Sequence, residues 1–246
     1  MNFLNRNKNA TKPALIPLDY QITYQPLPHE SLKQLPEPVQ ERVKELYHLA
    51  RTQPEQAISS LLDMIDKYPN VPVCYNYLRL AYELTGQVGR ANALLEVIYR
   101  KFPDYLFAKT NYAFRCLRNR RLEKIPEIFN SKFDLKLLYS HRVVFHISEF
   151  TAFSCVMALY HFMIGDRQNA LKHYALLKQW APNHELTQLV KSQLDPTLAQ
   201  KLLDQLGMAL AKIVETMERL VQNKFEALKE TKTATSHKQA QFSKTF

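Results

Sequence analysis

The chain has 246 residues, of which 46% are apolar and 23% are charged. This is the composition of an ordinary folded protein, and it excludes a collagen-like or a wholly disordered chain. The formal net charge of +10 fits either a polyanionic partner or simply a basic surface. Because only four glycines occur and no alternating β-branched runs are present, the sequence favours an all-α fold.

The cysteines and the apolar segments bear on the compartment. Cys74, Cys116 and Cys155 have no close spacing and lie in apolar helical stretches, so we expect reduced, packed thiols. Residues 1–10 are polar and lack the apolar core of a signal peptide. The most apolar window, 150–165, is too short to span a bilayer. We therefore expect a soluble, cytoplasmic protein with no membrane span.

The first 37 residues predict an extended N-terminal arm. Six prolines between Pro13 and Pro38 prevent a long helix from forming there. Apolar and aromatic residues recur between Leu15 and Leu27, which indicates that the arm packs along the rest of the chain. We assign residues 1–37 to this arm.

Helical periodicity begins at Pro38, and a period of 34 residues follows. A Lys, an aromatic residue and a Pro close two successive stretches, as Lys67-Tyr68-Pro69 and Lys101-Phe102-Pro103. A similar ending and small residues recur at fixed offsets: Trp180-Ala181-Pro182, Ala57, Ala91, Ala170, Gly86 and Gly165. A fixed period of this length is typical of stacked helix-turn-helix units, none of which buries its apolar face alone.

Residues 72–105 carry the pattern most completely, and here the sequence resembles the tetratricopeptide repeat family. The matching residues are Tyr75, Leu78, Tyr82, Ala91, Leu95 and Pro103. Arg79 and Ile98 depart from the pattern because they replace small residues. The resemblance implies an all-α solenoid of about four helical hairpins across residues 38–195. It also implies binding rather than catalysis, since the family is a general binding scaffold.

The remaining copies are less regular. Residues 106–139 are a degraded copy, in which Arg120 replaces the turn glycine and Ile125 the small residue. Residues 151–184 return to the pattern, with Gly165 at the turn. Eleven extra residues, 140–150, separate these two copies.

The C-terminal part of the chain predicts a long helix and a tail. Over residues 196–230, apolar or small residues recur by alternating fours and threes from Ala199 to Leu220, which is a coiled-coil pattern. This helix either caps the array, folds into its groove, or joins two copies as a homodimer. Residues 231–246 are polar and basic, and we expect them to be disordered.

The resemblance also implies a partner-binding concave face, formed by set places of each first helix. The residues predicted to contact a partner are Asn76, Leu80, Phe107, Thr110, Phe114, Arg118, Leu159 and Phe162. Apolar surface of this extent is seldom left exposed to water. It is covered either by the protein's own C-terminal helix or arm, or by an amphipathic segment of a partner. We therefore predict a non-catalytic interaction scaffold or adaptor.

One known kind of ligand is excluded. Family members that hold the acidic C-terminal tails of heat-shock chaperones use a clamp of two Lys, one Arg and two Asn. Here only Asn111 matches that clamp. Leu80 stands in place of the other Asn, and Ala152 and Val156 stand in place of a Lys and the Arg. Burying a carboxylate against these apolar groups is costly.

A basic cluster at the turn of the degraded copy gives an alternative function. It consists of Arg115, Arg118, Arg120, Arg121 and Lys124. Together with the basic tail, these cations predict binding of nucleic acid or another polyanion. The other interpretation is a solvated turn whose cations offset the helix end. Because no nucleic-acid-binding signature accompanies the cluster, a protein partner ranks first.

Four polar residues in the inserted stretch resemble catalytic groups. His146 and Ser148 are two residues apart, and no motif places a third partner beside them. His141 and His146 are five apart, which does not align two metal ligands on one helical face. We expect Ser148 and these two histidines to cap or pack a helix, and we expect no enzymatic activity, no metal and no cofactor.

Overall fold

The computed structural model describes residues 16–195, which form eleven helices and two short strands. Residues 1–15 of the arm, the predicted C-terminal helix (196–230) with its homodimer seam, and the basic tail (231–246) lie outside the described residues. The elements run in the order β1 (Gln21–Thr23), α1 (Glu30–Lys33), α2 (Glu37–Thr52), α3 (Pro54–Lys67), α4 (Pro72–Leu84), α5 (Val88–Lys101), α6 (Leu106–Arg118), α7 (Lys124–Ile128), α8 (Leu135–Leu138), β2 (Val144–His146), α9 (Ile147–Met163), α10 (Arg167–Trp180) and α11 (Glu185–Leu194).

The long helices pack against their neighbours in the chain. Helix α2 contacts α3, α4 contacts α5, and α9 contacts α10, which gives three complete helix pairs. Further contacts join α3 to α4, α5 to α6, and α6 to α9. The all-α fold class is thereby confirmed. In the described part of the chain, no helix combines the length and the apolarity that crossing a membrane requires.

The predicted period is visible in the turns between helices. Gly86 and Gly165 adopt left-handed conformations, with φ of 72° and 83°. In each turn the following N–H donates to a carbonyl five residues earlier, as from Gln87 to Tyr82 at 2.8 Å. Arg120 forms the same turn at φ 59°, and Arg121 donates to Cys116 at 2.9 Å. The degraded copy therefore forms the same left-handed turn with an arginine in place of the glycine.

Small residues lie where the two helices of a pair approach each other. Ala57, Ala91 and Ala170 are all buried, with at most 3% exposure. Ile125 occupies the equivalent place after α6 and is completely buried. The larger side chain stands where the local structure differs from that of the other pairs, since no long helix follows this turn.

The degraded copy forms only half of a helix pair. Pro126 has no N–H to donate, and this confines the start of α7 to the turn just before it. Asn130 and Ser131 then take left-handed conformations, with φ of 52° and 55°, and the helix ends. Three complete helix pairs and one incomplete pair thus stand where about four pairs were predicted.

The arm and the inserted stretch meet in a two-stranded parallel sheet. Strand β1 lies beside β2 with Ile22 opposite Phe145. From β1 onwards the arm crosses the start of α6, where the His29 ring lies 5.4 Å from the Tyr105 ring, and then Leu32 packs with Val43 and neighbouring residues of α4. The arm therefore packs along the helices, as its apolar residues predicted.

The largest apolar core lies under this sheet. It is built mainly from α6, α7, β2 and α9, and Phe129, Phe145, Phe150 and Phe153 are almost completely buried in it. Helix α9 has 17 residues, most of them apolar, and eleven of its residues are buried. A helix that is apolar on all sides needs partners on all sides, and here these are α6, α10, α11 and the sheet.

Candidate binding surfaces

Three of the predicted groove residues come together in the structure. Phe114 of α6 and Leu159 and Phe162 of α9 are half-buried and pack against one apolar cluster. The core of that cluster includes Cys155 of α9 and Val190 of α11. We call Phe114, Leu159 and Phe162 the groove triad. Each keeps part of its side chain accessible, so the triad offers an apolar surface to a ligand.

The other apolar groove residues lie elsewhere. Phe107 packs against a separate cluster that contains Tyr75 and Ile98, and its ring lies 5.7 Å from the ring of Tyr105. Leu80 is half-buried and belongs to none of the apolar clusters of the described residues. The predicted face is therefore divided, and its largest apolar group is the triad.

Two of the predicted polar contacts, Asn76 and Thr110, are already partnered or buried. Asn111 donates its side-chain amide to the side-chain oxygen of Asn76 at 2.9 Å. Thr110 is completely buried and donates its hydroxyl to the carbonyl of Leu106 at 3.1 Å. Its prediction as a partner contact is wrong for this structure, because a helix residue at that place is closed off by core packing.

Helix α11 completes the triad's surroundings and was not predicted from the sequence. Thr187 is buried and donates to the carbonyl of Ala181 at 2.7 Å, which fixes the first turn of α11. The Cys155 thiol lies 3.8 Å from the carbonyl oxygen of Leu186. The signal was present, since Leu186, Val190 and Leu194 recur at a spacing of four.

Two of the five cations of the basic cluster are already paired. The Arg115 guanidinium pairs with Glu96 and lies 4.9 Å from the centre of the Tyr112 ring. Lys124 pairs with Glu127 at 2.8 Å. These two side chains hold their own surroundings together, so they are poor candidates for a polyanion.

The other three cations are free of such partners. Arg118, Arg120 and Arg121 are exposed, and none forms an ion pair within residues 16–195. We call them the arginine turn. Their charges project from the end of α6, where they also offset the helix dipole.

The inserted histidine and serine cap a helix. The His146 ring nitrogen Nδ1 accepts the Ser148 N–H at 3.2 Å, and the Glu149 carboxylate accepts the His146 N–H at 3.0 Å. Arg142 donates to both oxygens of Glu149, at 3.0 and 2.7 Å. This reciprocal arrangement is a capping box. Because Glu149 binds the backbone and Arg142 instead of the imidazole, it does not orient the ring for proton transfer. The predicted capping role is confirmed for His146 and Ser148, whereas His141 is exposed and lies outside the capping box.

A second pair of histidines lies between α9 and α10. His161 and His173 are each at least 92% buried, and their rings stack with centres 5.9 Å apart. His161 Nδ1 lies 3.0 Å from an Asp166 oxygen, whereas His173 Nδ1 has no hydrogen-bond partner in the structure. Burial lowers the pKa of His173 to about 3. No group of three metal-binding side chains occurs within the range that the structure describes.

The thiols are packed, as the sequence predicted. All three cysteines are free and buried. Burial raises the pKa of Cys74 and of Cys155 to about 12, and it also raises the pKa of Cys116. A thiol in such surroundings stays protonated and is a poor nucleophile at neutral pH.

Comparison with known proteins gives no relative: no family model matches the chain, and neither does any curated protein or solved structure.

Proposed function

We propose that the chain is a non-catalytic interaction module with a tetratricopeptide-like solenoid architecture, and that the groove triad receives a segment of a protein partner. The observation that carries this proposal is the triad itself, in which Phe114, Leu159 and Phe162 are half-buried at one apolar cluster and keep part of their side chains accessible. The recurring left-handed turns and buried alanines support the architecture. The free, buried thiols fit a reducing compartment, and we place the protein in the cytoplasm.

The chemistry of the triad favours an amphipathic helix as the partner segment. Large apolar side chains on two neighbouring helices form a groove of the kind that apolar residues at helical spacing fill. Arg118 lies one helical turn beyond Phe114 on the same face of α6, and it is exposed. A partner segment with an acidic residue at one end of its apolar stripe therefore fits best.

A charge placed in the triad tests the proposal. Phe162→Glu in the full chain is expected to abolish capture of the partner from cell extract, because the partner's apolar side chains then meet a carboxylate. Ile164→Glu is the matched control, since Ile164 is 47% exposed, is two residues away and is not part of the cluster. Circular dichroism checks that both variants keep their helicity. If both variants capture the same proteins as the unmodified chain, the triad is not the binding surface.

A second candidate function is the binding of nucleic acid or another polyanion. It is favoured by the three exposed, unpaired guanidinium groups of the arginine turn. Replacing Arg118, Arg120 and Arg121 together by Gln is expected to abolish binding of single-stranded RNA, and binding by the unmodified chain is expected to fall steeply with salt. Arg167→Gln removes an exposed arginine elsewhere as the control. Binding that is absent, or that does not depend on salt, removes this candidate.

A further inference from the structure

The described part of the arm lies on the helices as a docked strand. Alternate residues from Ile16 to Ile22 are half-buried against the largest core, and the residues between them are exposed. The half-buried residues are Ile16, Leu18, Tyr20 and Ile22. An extended segment that buries every second side chain uses one face for recognition. We call the surface beneath residues 16–23 the arm seat.

The arm seat also binds the backbone of the arm at both ends. At one end the Gln179 side chain accepts the Ile16 N–H at 2.8 Å and donates to the Ile16 carbonyl at 3.2 Å, as a neighbouring strand would. At the other end the Gln21 N–H donates to the Val143 carbonyl at 2.8 Å, and β1 pairs with β2. Backbone pairing combined with alternate apolar pockets is how proteins bind added strands.

The covalent link between the docked strand and the next anchor is short and exposed. Residues 24–28 contain Pro26 and Pro28, and they are exposed except for Pro28. They contain no regular structure, only a bend at Gln25. One hydrogen bond, from the Tyr24 hydroxyl to the Trp180 carbonyl at 2.7 Å, fixes this link to the helices. The contacts of residues 16–23 with the arm seat therefore hold the arm in place, and the linker, residues 24–28, contributes little.

We propose that the arm seat is a strand-docking site that also works between molecules, and that its occupant in that case is the arm of a second copy of this chain. Two copies exchange residues 16–23, and every contact of the seat is formed again across the new interface. Only the exposed linker changes conformation, which makes exchange of this kind a low-cost route to a dimer. The arm of a second copy fits the seat because it carries the same alternate apolar residues and the same backbone hydrogen-bonding groups at Ile16 and Gln21.

This inference does not depend on the proposed function, because the arm seat and the groove triad are formed by different residues. It predicts a dimer whose formation requires the arm. An interaction module that exchanges its arm doubles its number of triads, and two triads on one particle increase the avidity for a partner with repeated segments.

Disulfide trapping between single-cysteine variants tests the exchange. Gln21 lies opposite Val144 across the strands, so Gln21→Cys is made in full chain with one affinity tag and Val144→Cys in full chain with another. The native thiols are buried and do not compete. After mixing and mild oxidation, a disulfide between the differently tagged chains is expected. Its ratio to monomer should rise about tenfold for a tenfold rise in concentration while dimer is scarce.

Two controls make the result decisive. Ser59→Cys, exposed on α3, replaces Val144→Cys to measure random collision. A chain that carries both Gln21→Cys and Val144→Cys should form an internal disulfide at low concentration, which shows that the pair can bond. If this double variant bonds and the mixed single variants do not exceed the Ser59→Cys control, the exchange is overturned.

A measurement of mass gives an independent answer should the cysteines prevent folding. Deleting Gln25 and Pro26 shortens the linker by up to about 7 Å, which should strain the arm in its own seat and favour the seat of a second copy. Light scattering is then expected to show a shift from monomer towards twice the monomer mass. An unchanged mass at every concentration overturns the proposal.

Discussion

Arg120 carries a backbone cost that can be measured. Its φ of 59° is left-handed, and the equivalent turns have glycine at Gly86 and Gly165. A left-handed conformation costs a residue with a Cβ roughly 1–2 kcal/mol, and a substitution by glycine removes this cost. Glycine is also freer in the unfolded chain, which offsets about 0.4–1 kcal/mol of that gain in stability. Because the Arg120 side chain is exposed and unpaired, few contacts are lost. We expect Arg120→Gly to stabilise the fold by about 0.5–1 kcal/mol.

Glycines elsewhere in the chain supply the matched controls. Gly86→Ala is expected to destabilise by about 1 kcal/mol from its φ of 72° alone, because an added Cβ would have no heavy atom within 4 Å. Gly89 lies in α5 without a left-handed φ and has equally open space, so Gly89→Ala should instead stabilise, by about 0.5–1 kcal/mol.

Urea denaturation followed by circular dichroism measures all three variants, and thermal midpoints should shift by about 2–4 °C per kcal/mol for a chain of this length. If Arg120→Gly is neutral or destabilising while Gly86→Ala behaves as expected, the cost assigned to the left-handed arginine is wrong. The Arg120 side chain would then contribute stability that its exposure does not reveal.

Three further predictions concern core packing, a buried histidine and a helix cap, and the free energy of unfolding measures each. Ile125→Ala should cost about 2–5 kcal/mol through the cavity that it leaves, and Ala91→Ile about 1–3 kcal/mol through overpacking; equal tolerance of both would contradict the packing described. His173 has a folded-state pKa of about 3, below its ordinary value of 6.5. The unfolded chain therefore takes up a proton at a higher pH than the folded chain does. Through this group, the free energy of unfolding of the unmodified chain should fall by about 1.6 kcal/mol between pH 6.5 and pH 5, and His173→Phe should lack this part of the fall. Glu149→Gln should cost about 1–2 kcal/mol because it weakens the capping box, whereas Glu41→Gln, in an exposed pair, should have no measurable effect.

The sequence predicted those features that depend on the local geometry of a helix pair. A glycine five residues before a buried alanine was enough to place the turn at Gly86, and the proline pattern placed the ends of α3, α5 and α10. These features are local because a left-handed turn and a close helix contact each restrict the residue at one place. They repeat along the chain, so a period in the sequence reveals them.

The groove could be predicted only in part, because it depends on how separate helices pack. The places taken from the family put Thr110 and Phe114 on the same face, yet one is buried and the other half-exposed. The repeat period does not encode how α6 packs against α5, α7 and α9, and this packing decides which of its residues stay accessible. The incomplete third pair departs from the period for a local reason, since Pro126 lies in the first turn of α7 and the left-handed Asn130 and Ser131 follow its end.

The arm and the inserted stretch are two departures from the period that form one structural feature. Parallel strands require a long crossover, and here all the helices from α1 to α8 lie between β1 and β2. The pairing therefore ties the start of the chain to a position 123 residues later, from Gln21 to Val144. A sheet of three residues per strand is weak by itself, so it persists because Tyr20 packs edge-on against Phe145 with ring centres 5.1 Å apart. The side chains hold the arm and the strands set its register.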